Sequence, residues 1–113
     1  MRVEIIAPYS SQYPDPIRFA TGEPVEIGRE DGEFPGWFWC RSQAGKEGWV
    51  HQSFLDGVAG EAIAVADYSG NELTVSGGER GLLIQLLDGW ACVRLDAGDQ
   101  GWIPEGHLQI LAT

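Results

Sequence analysis

The sequence predicts an all-β protein made of two small five-stranded units in tandem, barrels or sandwiches. Three observations carry that expectation. The chain repeats itself once along nearly its whole length. Each copy breaks into short β-type segments separated by Gly, Pro and Asp turn signals. No 11-residue window has the periodicity of an amphipathic helix.

The repeat is clearest around tryptophan. "GWFWCR", Gly36 to Arg41, returns 53 residues later as "GWACVR", Gly89 to Arg94, and Gly48-Trp49-Val50 returns as Gly101-Trp102-Ile103. Upstream, "APYS" from Ala7 matches "ADYS" from Ala66 at an offset of 59, and Gly22-Glu23 matches Gly78-Glu79 at 56. The falling offsets place three extra residues in each of two loops of the first copy.

In the first copy the expected strands are Val3–Ala7, Pro24–Gly28, Trp37–Ser42, Gly48–His51 and a short piece near Leu55. Asp31-Gly32, Pro35-Gly36 and Ala44-Gly45 break them. Collinear repeats imply one domain over residues 1–57, a second over 61–113, and a linker across 56–62. Domains of this size bury only about 60% of their unfolded surface, so each should be marginal alone.

Composition excludes several classes of function. No apolar run approaches the roughly 20 residues of a membrane-spanning helix. "MRVEIIAPYSS" lacks the basic and apolar regions of a signal peptide, so a cytoplasmic location is expected. Two cysteines in that compartment read as reduced thiols. A net charge of −10 argues against nucleic acid and anionic membranes as partners. Nucleophile-elbow and zincin motifs are missing, and His51, His107, Cys40 and Cys92 are scattered over the two copies, so neither an enzyme nor a metal or other cofactor is expected.

Each copy resembles an SH3 (Src-homology 3) domain of the divergent, variant type found in bacteria. The family's A-L-Y-D-Y opening, E-L-S-F strand, G-D/E turn, W-W pair and G-x-x-P-x-N-Y-V close have counterparts in order. The second copy reads "AVADY" (Ala64 to Tyr68), "NELTV" (Asn71 to Val75), Gly78-Glu79, Gly89-Trp90 and "GWIPEGHL" (Gly101 to Leu108). The first reads "IIAPY" (Ile5 to Tyr9), "PIRF" (Pro16 to Phe19), Gly22-Glu23, "GWFW" (Gly36 to Trp39) and "GWVHQSFL" (Gly48 to Leu55).

The resemblance implies two SH3-like barrels and, on each, an aromatic groove for peptides in the polyproline II conformation. Carried over, the first groove has Tyr9, Trp37 and Phe54, with His51 in place of the family's proline. The second has Tyr68, Trp90 and Pro104, with His107 in place of a tyrosine. "YPDP", Tyr13 to Pro16, stiffens a long loop beside the first groove and supplies Tyr13 and Asp15 as further contacts. With three aromatic residues and longer loops, the first groove is the expected ligand site. The implied protein is a non-enzymatic, adaptor-like monomer or weak dimer that binds a protein or peptide, proline-rich or basic. The alternatives are a structural module with its groove faces buried, or a cell-wall-binding protein. Strand alternation, with the resemblance, points Cys40 into the core and leaves Cys92 on the outer face of its strand.

Overall fold

A computed structural model describes residues 1–57 and 60–112. The fold is all-β, with only two single-turn 3-10 segments, Gln52–Phe54 and Glu105–His107, among the described residues. The strands are β1 (Arg2–Ile5), β2 (Arg18–Phe19), β3 (Pro24–Glu30), β4 (Trp37–Ser42), β5 (Glu47–His51), β6 (Leu55–Asp56), β7 (Gly60–Ala64), β8 (Tyr68–Ser69), β9 (Arg80–Leu87), β10 (Trp90–Leu95), β11 (Gln100–Pro104) and β12 (Leu108–Ile110).

These strands form two compact units that do not follow the repeat. One is continuous, residues 15–70; the other is split, joining residues 1–14 to residues 71–112. The continuous unit has a five-stranded sheet in the order β5-β4-β3-β7-β6, beside a small β2-β8 pair. In the split unit the order is β11-β10-β9-β1-β12. Each unit therefore takes its fourth-listed strand from the other repeat. β7, which opens the second copy, pairs with β3 and β6 of the first. β1, which opens the first copy, pairs with β9 and β12 of the second.

This corrects the collinear boundaries. Residues 1–57 and 61–113 are not the folded units, and the expected linker 56–62 joins two paired strands. Leu55 faces Ala64 and Asp56 faces Ile63, so β6 and β7 are an antiparallel pair. Within that stretch Val58 and Ala59 lie outside the described residues. Chain length supplies the reason. Connections of 2–5 residues favour hairpins, so the strand arriving next in sequence docks on β6. That occupies the place β1 would have filled, and β1 fills the corresponding gap between β9 and β12.

Side-chain volume favours the same exchange. The inward residues of β1 are Val3 and Ile5, at 0% and 1% exposure; those of β7 are Ala62 and Ala64, both at 2%. Val3 faces Gly81, where an added Cβ would lie 2.3 Å from the Arg94 carbonyl oxygen. Ala62 faces Val25. Each unit thus sets one small residue against one large one. Collinear pairing would put Val3 against Val25 and Ala62 against Gly81, overfilling one core and underfilling the other.

In the split unit the core gathers Val3, Ile5, Leu73, Val75, Ala91, Val93, Leu95 and Ile103 around one centre. In the continuous unit Ile17, Phe19, Val25, Cys40, Val50, Leu55, Ala62 and Ala64 are buried. The two Gly-Trp motifs have matching roles in these packings. A Cβ on Gly48 would meet Ile17 at 2.9 Å, and one on Gly101 would meet the Asn71 carbonyl at 2.6 Å, so only glycine lets the crossing segment lie flat on the sheet.

Both cysteines are buried free thiols, Cys40 at 1% and Cys92 at 8% exposure. Cys92 lies on the face of β10 opposite Ala91 and Val93, as expected, but it is covered there, not open to solvent. Pairing runs Cys92 to Gln85 but Val93 to Leu83, so Ile84 is bulged out of β9, while β10 keeps its alternation, with Ala91, Val93 and Leu95 in the core cluster. Burial pushes the Cys40 thiol up to about 12 and raises that of Cys92 as well. A thiolate-selective reagent should therefore label both slowly in the native protein, Cys92 before Cys40, and both rapidly in denaturant. Rapid native labelling of either thiol would contradict this packing.

Candidate functional site

Strand exchange regroups the residues expected to line the two grooves. The split unit holds Tyr9, Tyr13, Trp90, Pro104 and His107; the continuous unit holds Asp15, Trp37, His51, Phe54 and Tyr68. Neither expected groove is assembled as the repeat suggested, because the two tyrosines carried by the first segments of each copy, Tyr9 and Tyr68, change places.

In the split unit, Trp90 starts β10 and faces Pro104 at the end of β11. Tyr9 is brought there by an isolated bridge to Val75. Its ring meets Trp90 edge-on, centroids 6.0 Å apart, and His107 edge-on at 5.4 Å. Aromatic pairs favour this geometry, and it fixes the two rings as walls. The His107 Nδ1 lies 3.1 Å from the Pro8 carbonyl oxygen, tying the turn after β11 to the segment that carries Tyr9. Tyr9, Trp90, Pro104 and His107 are all half-buried, so none of the four is closed off from solvent.

Glu72 completes this rim. The Tyr9 hydroxyl donates to its Oε1 at 2.8 Å, and the Gln12 backbone N–H donates to the same oxygen at 2.9 Å. Burial first, and then Glu72, push the Tyr9 phenol well above its ordinary value, so it remains a neutral donor. Sequence reading missed Glu72. Its pairing with Tyr9, 63 positions away, becomes visible only once β1 is placed in the split unit.

The continuous unit closes its aromatic set. Trp37 is 3% exposed, His51 5%, Tyr68 7% and Phe54 9%. Tyr68 stacks on Phe19 at 5.4 Å, tilts against Phe54 at 4.7 Å and donates its hydroxyl to the Trp49 carbonyl at 2.7 Å. Trp37 meets His51 edge-on at 5.3 Å, and the His51 Nδ1 caps the following turn by accepting from the Ser53 N–H. These rings pack the unit.

The acids near the first expected groove have local partners. Asp15 pairs with Lys46 at 2.5 Å, Glu30 accepts from the Gly36 N–H and Asp31 from the Glu33 N–H. They hold the loop ends in shape. The first groove's expected advantage in aromatics and acids is therefore reversed by where those side chains go.

No cluster of three or more His, Cys, Asp or Glu able to hold a metal ion occurs among the described residues. Nor is any helix among them long and apolar enough to cross a membrane.

Comparison with known proteins agrees with this β-rich arrangement. Residues 6–56 match the family described as "Variant SH3 domain". That match straddles the units, running from the segment that carries Tyr9 through β6. The chain is 25% identical over 122 aligned positions to "SH3 and PX domain-containing protein 2B" of Mus musculus and, equally, to the Homo sapiens protein of that name. The alignment covers 93% of this chain but 13% of either relative. No solved structure matches at comparable significance. SH3 domains generally mediate protein–protein interactions. The likeness to a variant SH3 domain thus extends over residues 6–56, a little under half of the chain.

Proposed function

We propose that the protein is a non-catalytic, adaptor-like binding protein and that its peptide groove is the one in the split unit, between Tyr9, Trp90, Pro104 and His107. The observation that carries this reading is the contrast in exposure: those four residues are half-buried, whereas Trp37, His51, Phe54 and Tyr68 are buried. A groove needs ring faces open to solvent before binding. Tyr9 and Trp90, held edge to face, would grip a polyproline II segment that has little ordering entropy left to lose. Glu72 at the rim favours a ligand with a basic residue beside its prolines.

An NMR titration with proline-rich and basic peptides tests the assignment. Shifts should concentrate on the Trp90 indole and on Tyr9 and His107, with a Kd on the order of 10 μM or weaker, as a small shallow groove implies. Trp90→Ala should abolish them and Trp37→Ala should leave them in place. Binding that survives Trp90→Ala, or shifts confined to residues 15–70, would overturn the proposal.

A further inference from the structure

The outer face of the continuous sheet carries a second aromatic site that the groove does not use. Trp39 on β4 faces Trp49 on β5, and their rings meet at 77° with centroids 5.1 Å apart, forming a corner. The Arg29 guanidinium sits in it, 5.5 Å from one centroid and 5.4 Å from the other. A bulge places it there: Ile27 faces Cys40 and Glu30 faces Phe38, so Gly28 and Arg29 together oppose Trp39. One row along the same face, Glu61, Glu26, Arg41 and Glu47 lie side by side across β7, β3, β4 and β5. That row sets three carboxylates against one guanidinium. Glu26, Glu47, Glu61, Arg41 and Trp39 also line a depression of about 640 Å³.

The split unit is an internal comparison. Its corresponding row is Arg2, Leu82, Arg94 and Gln100, with Cys92 facing Trp102 where the continuous unit has the tryptophan pair. The same sheet position is therefore cationic with one indole in one unit, and acidic with two in the other. The general fold does not require the acidic, two-indole face.

We propose that this face of the continuous unit binds an arginine-bearing basic segment of a partner protein. The partner's guanidinium takes the place of Arg29 over the Trp39–Trp49 corner, and Glu47 and Glu61 meet the neighbouring cations, while Glu26 is held by the Arg41 Nε at 2.8 Å. Arg29 shows which group the corner accepts. It is exposed, so displacing it exchanges one cation–π contact for another, and the carboxylate row adds attraction that Arg29 does not collect. Trp39 is positioned for this role by its Nε1–H, which donates to Glu47 at 3.0 Å.

The test is an indole NMR titration of the whole chain with an Arg-Gly-Arg-Gly-Arg peptide, beside its Glu counterpart. Saturable shifts are expected at the Trp39 and Trp49 N–H signals, with the buried Trp102 as internal control, and they should weaken as salt is raised. Arg29→Gln should tighten binding about threefold by vacating the corner. Glu47→Gln and Glu61→Gln should each weaken it about threefold. The proposal is overturned if the arginine peptide moves neither signal, if the glutamate peptide binds as well, or if Arg29→Gln abolishes binding. It is also overturned if the same shifts appear with protein concentration alone, which would make a second copy of the chain the occupant.

Discussion

Removal of residues 1–6 should unfold the split unit and spare the continuous one, although the deleted strand belongs to the same repeat as β3, β4 and β5. β1 is an interior strand, hydrogen-bonded to β9 on one side and β12 on the other, and Val3 and Ile5 are fully buried in the core it crosses. Replacing one buried Ile by Ala already costs about 2–5 kcal/mol. Losing Val3, Ile5 and two ladders of hydrogen bonds exceeds the roughly 5–15 kcal/mol that keeps a small domain folded. In an NMR spectrum of the shortened chain, signals of residues 71–112 should collapse toward random-coil positions while those of residues 15–57 remain dispersed. The milder Ile5→Ala should lower the stability of the split unit alone, by about 2–5 kcal/mol. Loss of dispersion in residues 15–57 instead would mean that β1 completes the other sheet.

An equally large difference is expected between two excised segments. Residues 15–70 contain every strand of the continuous unit, so this piece should fold cooperatively by itself. Residues 1–57, which the repeat would make a domain, lack β7 and with it Ala62, Ala64 and the partner strand of both β3 and β6. That piece should show no cooperative thermal transition and no protected amides. A sharp transition in residues 1–57 comparable to that of residues 15–70 would contradict the exchange. Size alone cannot produce the expected result, since the two pieces differ by one residue.

Much of this architecture is legible in the residues. The Gly-Trp pairs, the offsets between copies and the turn signals locate most of the strands, and the absence of helical periodicity sets the class. Partner choice is harder to read. Backbone hydrogen bonds are indifferent to which copy of a strand supplies them, so a repeat leaves two pairings almost equal at that level. What separates them is side-chain volume, Val3 opposite Gly81 and Ala62 opposite Val25, together with a connection between Asp56 and Gly60 short enough for a hairpin. Both signals are present in the sequence, yet they become readable only when the two pairings are compared.

The same gap explains the candidate site. Tyr9, Trp90 and His107 were each legible as candidate groove residues, but their grouping depended on the exchange, and so did the bond from Tyr9 to Glu72. Cys92 fails for a different reason. Alternation places it on the outer face, and it is nevertheless covered there, opposite the buried Trp102 and in contact with Gln100.

The strand exchange is most directly tested by backbone NOEs between assigned strands in the intact protein. The pairing described here places Arg2, Val3 and Glu4 against Leu82, Gly81 and Arg80, with Val3 and Ile5 also against Ile110 and Leu108. It places Val25 and Glu26 against Ala62 and Glu61. Cross-strand NOEs at those pairs are the predicted result. NOEs from β1 to Pro24–Ile27 and from Gly60–Ala64 to Arg80–Leu82 would contradict it, returning each repeat to its own sheet and Tyr9 to the side of Trp37.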